Sequence, residues 1–202
     1  HLCGQPCDMR AIHKLCRQYG VKIIEDASHA IGGSYSGEPI GNCEFSDISV
    51  FSFHPVKIVT TAEGGAALTN DDELAIKIAL YRSHGVTREQ ELMTEPSHGE
   101  WYYQQIALGY NYRMTDIQAS LGVTQMQRLD EIITLRHKVA RRYDILLKGL
   151  PVKIPFQLED TYSGLHLYVI RLNLDEIWMS HKQVFAELRA NGIGVNLHYI
   201  PV

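Results

Sequence analysis

The sequence contains no run of four basic residues, no apolar stretch near the ~20 residues of a membrane-spanning helix, and no basic-then-apolar opening of signal-peptide type. Internal repeats and low-complexity tracts are also absent. Acidic residues outnumber basic ones, 23 against 19, for a net charge of −4. Nucleic acids and anionic membrane surfaces are gripped by basic faces, so neither is expected as a partner. Cysteine is scarce: Cys3, Cys7, Cys16 and Cys43 are too few for a disulfide scaffold in 202 residues and fit a reducing, cytoplasmic compartment. Even with His1 and His13, their spacing lacks the paired CxxC or HxxxH of structural zinc. They read as packing thiols, and no metal is expected.

What is present is the composition of a packed protein, 45% hydrophobic and 21% charged, with ten histidines. The chain opens on His1 rather than Met, and the residues from Asn191 onward read as a buried strand and its exit. Natural termini are usually polar and frayed, so an internal piece of a longer protein is expected.

Helical spacing of Met9, Ile12, Leu15 and Cys16 before Gly20 predicts a helix over 5–19. Val21–Asp26 reads as a short buried strand, Asp47–Phe53 as a second and Gly64–Asn70 as a third. Asp71, Asp72 and Glu73 place negative charge at the start of a helix reaching Ser83. Gly85–Asn111 has no period and is long for a connector, which predicts a functional or partner-contacting excursion. The apolar positions 117, 121, 129, 132, 139, 143 and 146 predict one long helix to Leu150, or two with a break near Lys138, its stripe forming core and domain link. After Pro151, a strand from His166, a helix over 181–190 and a strand over 193–199 suggest a separate unit. The expected division is therefore 1–150 and 151–202, with an α/β sheet in the first part.

Ligands of such sheets sit beyond the carboxyl ends of the strands, which directs attention to Glu25-Asp26 and to Ser52–Lys57. A carboxylate ending a buried strand needs a partner. Asp26 either caps the following turn or faces a ligand cation, with His29 one turn on. In FSFHPVK, Pro55 stops the strand and sets Lys57 on a loop among Phe53, Val56 and Ile58. Apolar surroundings favour the neutral amine that attacks carbonyls, although a lysine here could equally snorkel to the surface. Pyridoxal 5'-phosphate needs a lysine, an acid for its ring nitrogen, and hydroxyls for its phosphate. Lys57, Asp26 and Ser52 supply one of each. His84 either contacts a ligand or ends a helix, and Trp101-Tyr102-Tyr103 line a binding site or pack in an interface. His98, His137, His166 and His181 read as solvated or half-buried.

EDASHAIGGSYSGEPIGNC, FSFHPVKIVTTAEGGAALTN, YRSHG and GEWYYQQIALGYNYRMTDIQASLG, in this order across His1–Val202, resemble the DegT/DnrJ/EryC1/StrS sugar aminotransferases, and within them the pseudaminic-acid branch. The resemblance implies an α/β, fold-type I pyridoxal-phosphate-dependent transferase of the aspartate aminotransferase type. This chain would hold a partial large domain (1–150) and the start of a small α+β C-terminal domain (151–202). It implies a cytoplasmic homodimer with shared active sites, transferring an amino group from an amino-acid donor, glutamate, to a 4-keto UDP-sugar for surface or flagellar glycans. Lys57 matches the cofactor-binding lysine, Asp26 the partner of the ring nitrogen, His29 the group that reaches the ring hydroxyl, and Ser52 a phosphate ligand. Asn111 matches an asparagine that crosses to the partner's phosphate, a role Arg113 could also take. Family members with histidine in place of the lysine are dehydratases, and Lys57 disfavours that variant. The alternative is a non-catalytic regulatory or binding protein of the same fold. The family's N-terminal third lies outside this sequence, so the isolated chain is expected to expose apolar surface and to bind cofactor weakly.

Overall fold

The structure, a computed structural model, describes residues 1–200. Pro201 and Val202, the last residues of the segment expected to begin the small domain, lie outside the described residues.

The frame is a three-stranded sheet. β1 (Ile24–Asp26) runs parallel to β4 (Ile48–Ser52), in register from Ile24 opposite Ile48 to Asp26 opposite Val50. β5 (Gly65–Leu68) pairs antiparallel with β4 on its other edge, Ser52 opposite Gly65. Between them β2 (Ser34–Tyr35) and β3 (Glu38–Pro39) make a hairpin. α1 (Met9–Tyr19) starts at Asp8, whose carboxylate accepts from the Ala11 N–H at 3.1 Å, and ends at Gly20. α2 (Asp72–Arg82) starts at Asp71, whose carboxylate accepts from the N–H groups of Glu73 and Leu74. Both starts satisfy amides that a helix leaves unpaired.

The buried strand expected over 21–26 is paired only at Ile24–Asp26, and it buries Glu25 while leaving Ile24 66% exposed. Glu25 is satisfied by the Ser46 hydroxyl and by His1 Nε2 at 2.6 Å. The excursion after α2 has order of its own: β6 (Val86–Thr87) pairs with β7 (Gln104–Gln105).

The expected long helix is two, α3 (Asp116–Met126) and α4 (Leu129–Leu146), broken at Gln127-Arg128 rather than near Lys138. Thr115 and Gln118 form a capping box at the start of α3. The stripe on these helices is not uniformly core. Ile133, Leu129 and Ile132 pack on the buried cluster of Ile31, Ile58 and Val59, whereas Ile117, Val139 and Leu146 are exposed. On α1, likewise, Met9 is buried and Ile12, Leu15 and Tyr19 are not. A period identifies an apolar face, not what covers it. The expected exposure of apolar surface is observed.

Beyond α4, β8 (Val152–Lys153) pairs with β10 (Arg171–Leu172), and α5 (His181–Ala190) carries a Ser180/Gln183 capping box. The strand expected from His166 shrinks to Arg171–Leu172, and residues 193–199 form no strand among the described residues. Extended segments without a neighbouring strand have no ladder to join. Meanwhile β9 (Thr161–Tyr162) joins β2, and the Gly164 and Leu167 N–H groups donate to the carbonyls of Gly4 and Cys3 at 3.0 and 3.2 Å. Residues 158–167 thus dock on the start of the chain. Gly4 permits this: its φ is +107°, and a Cβ there would lie 2.6 Å from Leu165 N.

Candidate active site

Parallel pairing brings the ends of β1 and β4 to one side of the sheet, and the Ala27 N–H extends the ladder by donating to the Val50 carbonyl at 2.9 Å. Pro55 lacks an N–H and closes β4. The Lys57 N–H returns to the His54 carbonyl at 2.9 Å, while the Thr61 N–H and the Thr60 hydroxyl donate to the Phe53 carbonyl. Ile58 and Val59, 5% and 1% exposed, anchor the loop in the core next to half-buried Lys57. Burial pushes the Lys57 ammonium below the ordinary lysine range, with Asp26 opposing the shift.

Asp26 turns back on Ser28, whose N–H donates to Oδ1 at 3.0 Å. Hydrogen bonding from the Ser28 hydroxyl, then its N–H, then the charges of His29 and Lys57, hold the carboxyl below its usual range against a desolvation that opposes them. Asp26 thus makes the turn with Ser28, as the capping alternative has it, and lines the same cleft as Lys57. His29 is pushed down by burial and by Lys57. Its Nδ1 accepts from the Cys3 N–H at 3.2 Å, so that nitrogen carries no proton and the neutral ring holds its N–H at Nε2.

Asp26, His29 and Lys57 line one cleft of ≈ 470 Å³ together with His1, Leu2, Ser28 and Tyr199. Ser52 lies at the adjoining strand end, its hydroxyl accepting from the His54 N–H at 3.4 Å, and is not among the cleft-lining residues. Asn111 is exposed and bridges to Ser83 at the base of the excursion. Beside it a second, mostly apolar cleft of ≈ 600 Å³ is lined by Tyr81, Arg82, Tyr110, Tyr112 and Arg113, so Arg113 faces that groove. His84 is tied by its backbone to Tyr110 rather than brought to the Lys57 cleft.

Ser28, Tyr199, His1 and Leu2 line the cleft without having been expected there, and His166 packs against the His29 ring. Ser28 could have been found, since a hydroxyl or amide two residues after an aspartate is a common turn. Tyr199, whose hydroxyl lies 3.4 Å from His29 Nε2, and His166, buried rather than half-exposed, come from chain too distant for any local pattern to announce.

This arrangement brings an amine whose ammonium form is disfavoured by burial, a carboxylate held below its usual range and a directed N–H donor into one concavity. Residues 1–202 match the model of the DegT/DnrJ/EryC1/StrS aminotransferase family along their whole length. The UDP-4-amino-4,6-dideoxy-N-acetyl-beta-L-altrosamine transaminase of Campylobacter jejuni is 37% identical over 199 residues, 98% of this chain and 50% of that protein. Helicobacter pylori PseC, an aminotransferase involved in pseudoaminic acid biosynthesis, superimposes with a TM-score of 0.88 at 32% identity, over 99% of this chain and 51% of PseC. Spr1654 of Streptococcus pneumoniae, described as a sugar aminotransferase, gives a TM-score of 0.84 at 30% identity in its PMP form, over 99% of this chain and 54% of that one. The fold is that of the fold-type I sugar aminotransferases, and the chain spans about half the length of the relatives it matches.

Proposed function

Taking as premise that the chain belongs to the DegT/DnrJ/EryC1/StrS aminotransferase family, we propose that it forms the central part of a pyridoxal-phosphate-dependent nucleotide-sugar aminotransferase. In this reading the acceptor is a 4-keto sugar on UDP, of the pseudaminic-acid type, the donor is glutamate, and the product serves surface or flagellar glycans. Residues 1–150 belong to the large domain and 151–202 begin the small one, with 158–167 docking back. The enzyme is cytoplasmic and homodimeric, and Asn111 at the end of the excursion, or Arg113 just beyond it, serves the partner's site.

The observation that carries this reading is the convergence of Lys57, Asp26 and His29 on one cleft. These residues fit the cofactor. Lys57 offers an amine biased toward its neutral, nucleophilic form. Asp26 offers a charge held below the usual carboxylate range, suited to a protonated ring nitrogen. His29 offers Nε2–H to a ring hydroxyl. When bound, pyridoxal phosphate supplies an electron sink for the carbon that loses its proton. Lys57, once free, is the base that takes and returns that proton. Ser52, at the strand end, is assigned to the phosphate.

Borohydride reduction of the full-length protein incubated with pyridoxal phosphate, followed by peptide mapping, should place the label on Lys57. A label on Lys22 or Lys77 would overturn the assignment.

A further inference from the structure

His29 has one nitrogen to offer the cleft, and that offer depends on how its ring is held. The Cys3 N–H fixes one edge at Nδ1. Against the ring lies a second imidazole: the His29 and His166 centroids are 4.4 Å apart, with the planes tilted by 46°. His166 is 8% exposed, and its Nδ1 has no hydrogen-bond partner among the described residues. Burying a bare ring nitrogen is unfavourable, and what offsets it here is the contact of a flat ring with His29.

The backbone around His166 is held firmly. Arg136 on α4 donates from one guanidinium nitrogen to the carbonyls of Leu165 and His166 at 3.0 and 3.2 Å. Leu165 adopts a left-handed φ of +47°, uncommon for leucine, with its N–H bound to the Ser163 hydroxyl at 3.0 Å. Leu167 closes on Cys3, the residue that binds His29 from the other side. Both constraints on the His29 ring are therefore parts of one docked unit, residues 3–4 against 163–167.

We infer that His166 is a positioning residue of the proposed site: its buried ring packs on His29 and, with the Cys3 N–H, locks the tautomer and orientation that present Nε2–H to the Lys57 cleft. The groups facing His166 suit this role. His29, Lys57, Arg136 and His198 are all cations or potential cations, and together with burial, the largest influence, they keep the His166 ring neutral. A neutral ring can pack on His29 without charge repulsion. The inference rests on the aminotransferase reading only for the identity of what His29 faces.

The test is nitrogen–proton NMR of the histidine rings in full-length, cofactor-free protein at neutral pH, paired with titration by pyridoxal phosphate. In the wild type, His29 should show a single neutral Nε2–H form. His166→Leu should release it into mixed tautomers and weaken pyridoxal phosphate binding about tenfold. His166→Phe keeps a flat ring and should retain the single tautomer. A His29 ring protonated at Nδ1 in the wild type, or a folded His166→Leu variant that keeps the single Nε2–H form, overturns the inference. If His166→Leu fails to fold, the wild-type tautomer and the His166→Phe spectrum decide. Wild-type protein that binds no pyridoxal phosphate would sink the aminotransferase reading instead, and the ring spectra would still judge His166.

Discussion

The Lys57 cleft and the excursion after α2 are organised in opposite ways. The cleft is assembled from short pieces far apart in sequence, His1-Leu2, the turn 26–29, Lys57 and Tyr199, with Cys3 and His166 supporting the His29 ring. Its order comes from the sheet and the core beneath it. The excursion is built almost wholly from itself. Gln104 is its organiser: its side-chain oxygen accepts from Thr94 N–H at 2.8 Å, Thr94 hydroxyl at 3.1 Å and Glu95 N–H at 3.3 Å, and its amide nitrogen donates to the Glu95 carbonyl and the Tyr102 hydroxyl. At the base, Gly85 takes a φ of +69° where a Cβ would run into the Ala107 carbonyl. The tip leaves Trp101 75% exposed. Distant pieces held by a core make a site that tolerates little displacement. A local staple makes an arm whose apolar tip its own chain leaves exposed, in line with the proposed reach toward a partner subunit.

The sharpest way to break this contrast is to disable each region in a different subunit. Lys57→Arg keeps the charge but not the required amine, so activity of the full-length enzyme should fall on the order of 10⁴-fold with folding intact. Mixed dimers with Lys57→Ala in one subunit and Asn111→Ala in the other place both lesions in one site if the arm crosses. Activity should then exceed that of either parent. Demonstrably mixed dimers with no recovery would return the arm to its own subunit or deny Asn111 a phosphate role.

Asp26→Asn tests the cleft alone. The turn with Ser28 survives, since an amide oxygen can accept the same N–H, but the charge is gone. Turnover should drop about 10²- to 10³-fold, while cofactor content, measured by absorbance of the purified protein, changes little. Near wild-type turnover would leave Asp26 as a turn-forming residue only.

Gln104→Leu tests the arm alone. It removes the hydrogen bonds that tie Thr94, Glu95 and Tyr102 to one side chain, a local cost of about 1–3 kcal/mol. Hydrogen exchange over residues 94–105 should accelerate by roughly ten- to a hundredfold, with exchange around 24–29 and 57–61 unchanged. Matching acceleration at both places would mean that the two regions are not independent.

The same contrast explains what could be read in the sequence. Helix starts at Asp71 and ends at Gly20 were legible because caps are local chemistry, and the proline turn before Lys57 was legible for the same reason. The order of the excursion was hidden because one glutamine, not a period, produces it. The stripe on α3 and α4 was over-read as core, since Ile117 at 83% exposure and Ile133 at 4% look alike in sequence. Above all, His166, expected to be solvated or half-buried, is buried. Its burial depends on Gly4 admitting the 163–167 segment and on Arg136 reaching across from α4, contacts that sequence spacing does not encode.

The smallest expected effect probes the seam where His166 meets the cleft. Burial, followed by the nearby His29, Lys57, Arg136 and His198, brings the His166 ring down to about 4 in the folded protein from an ordinary value of 6.5. Between those values the unfolded chain binds a proton that the folded chain refuses, so stability rises with pH across that window and is lost as the medium is acidified from 6.5 toward 4. Between neutrality and about pH 5.5 this one group should cost on the order of 1 kcal/mol. His166→Phe removes the titrating nitrogen and keeps the ring, so urea unfolding of the full-length variant should show a shallower loss of stability over that interval than the wild type. Parallel pH profiles would mean that His166 accepts its proton in the folded state. A charged His166 could not serve as the neutral surface on which His29 rests, and the cleft would have to be held by its Cys3 edge alone.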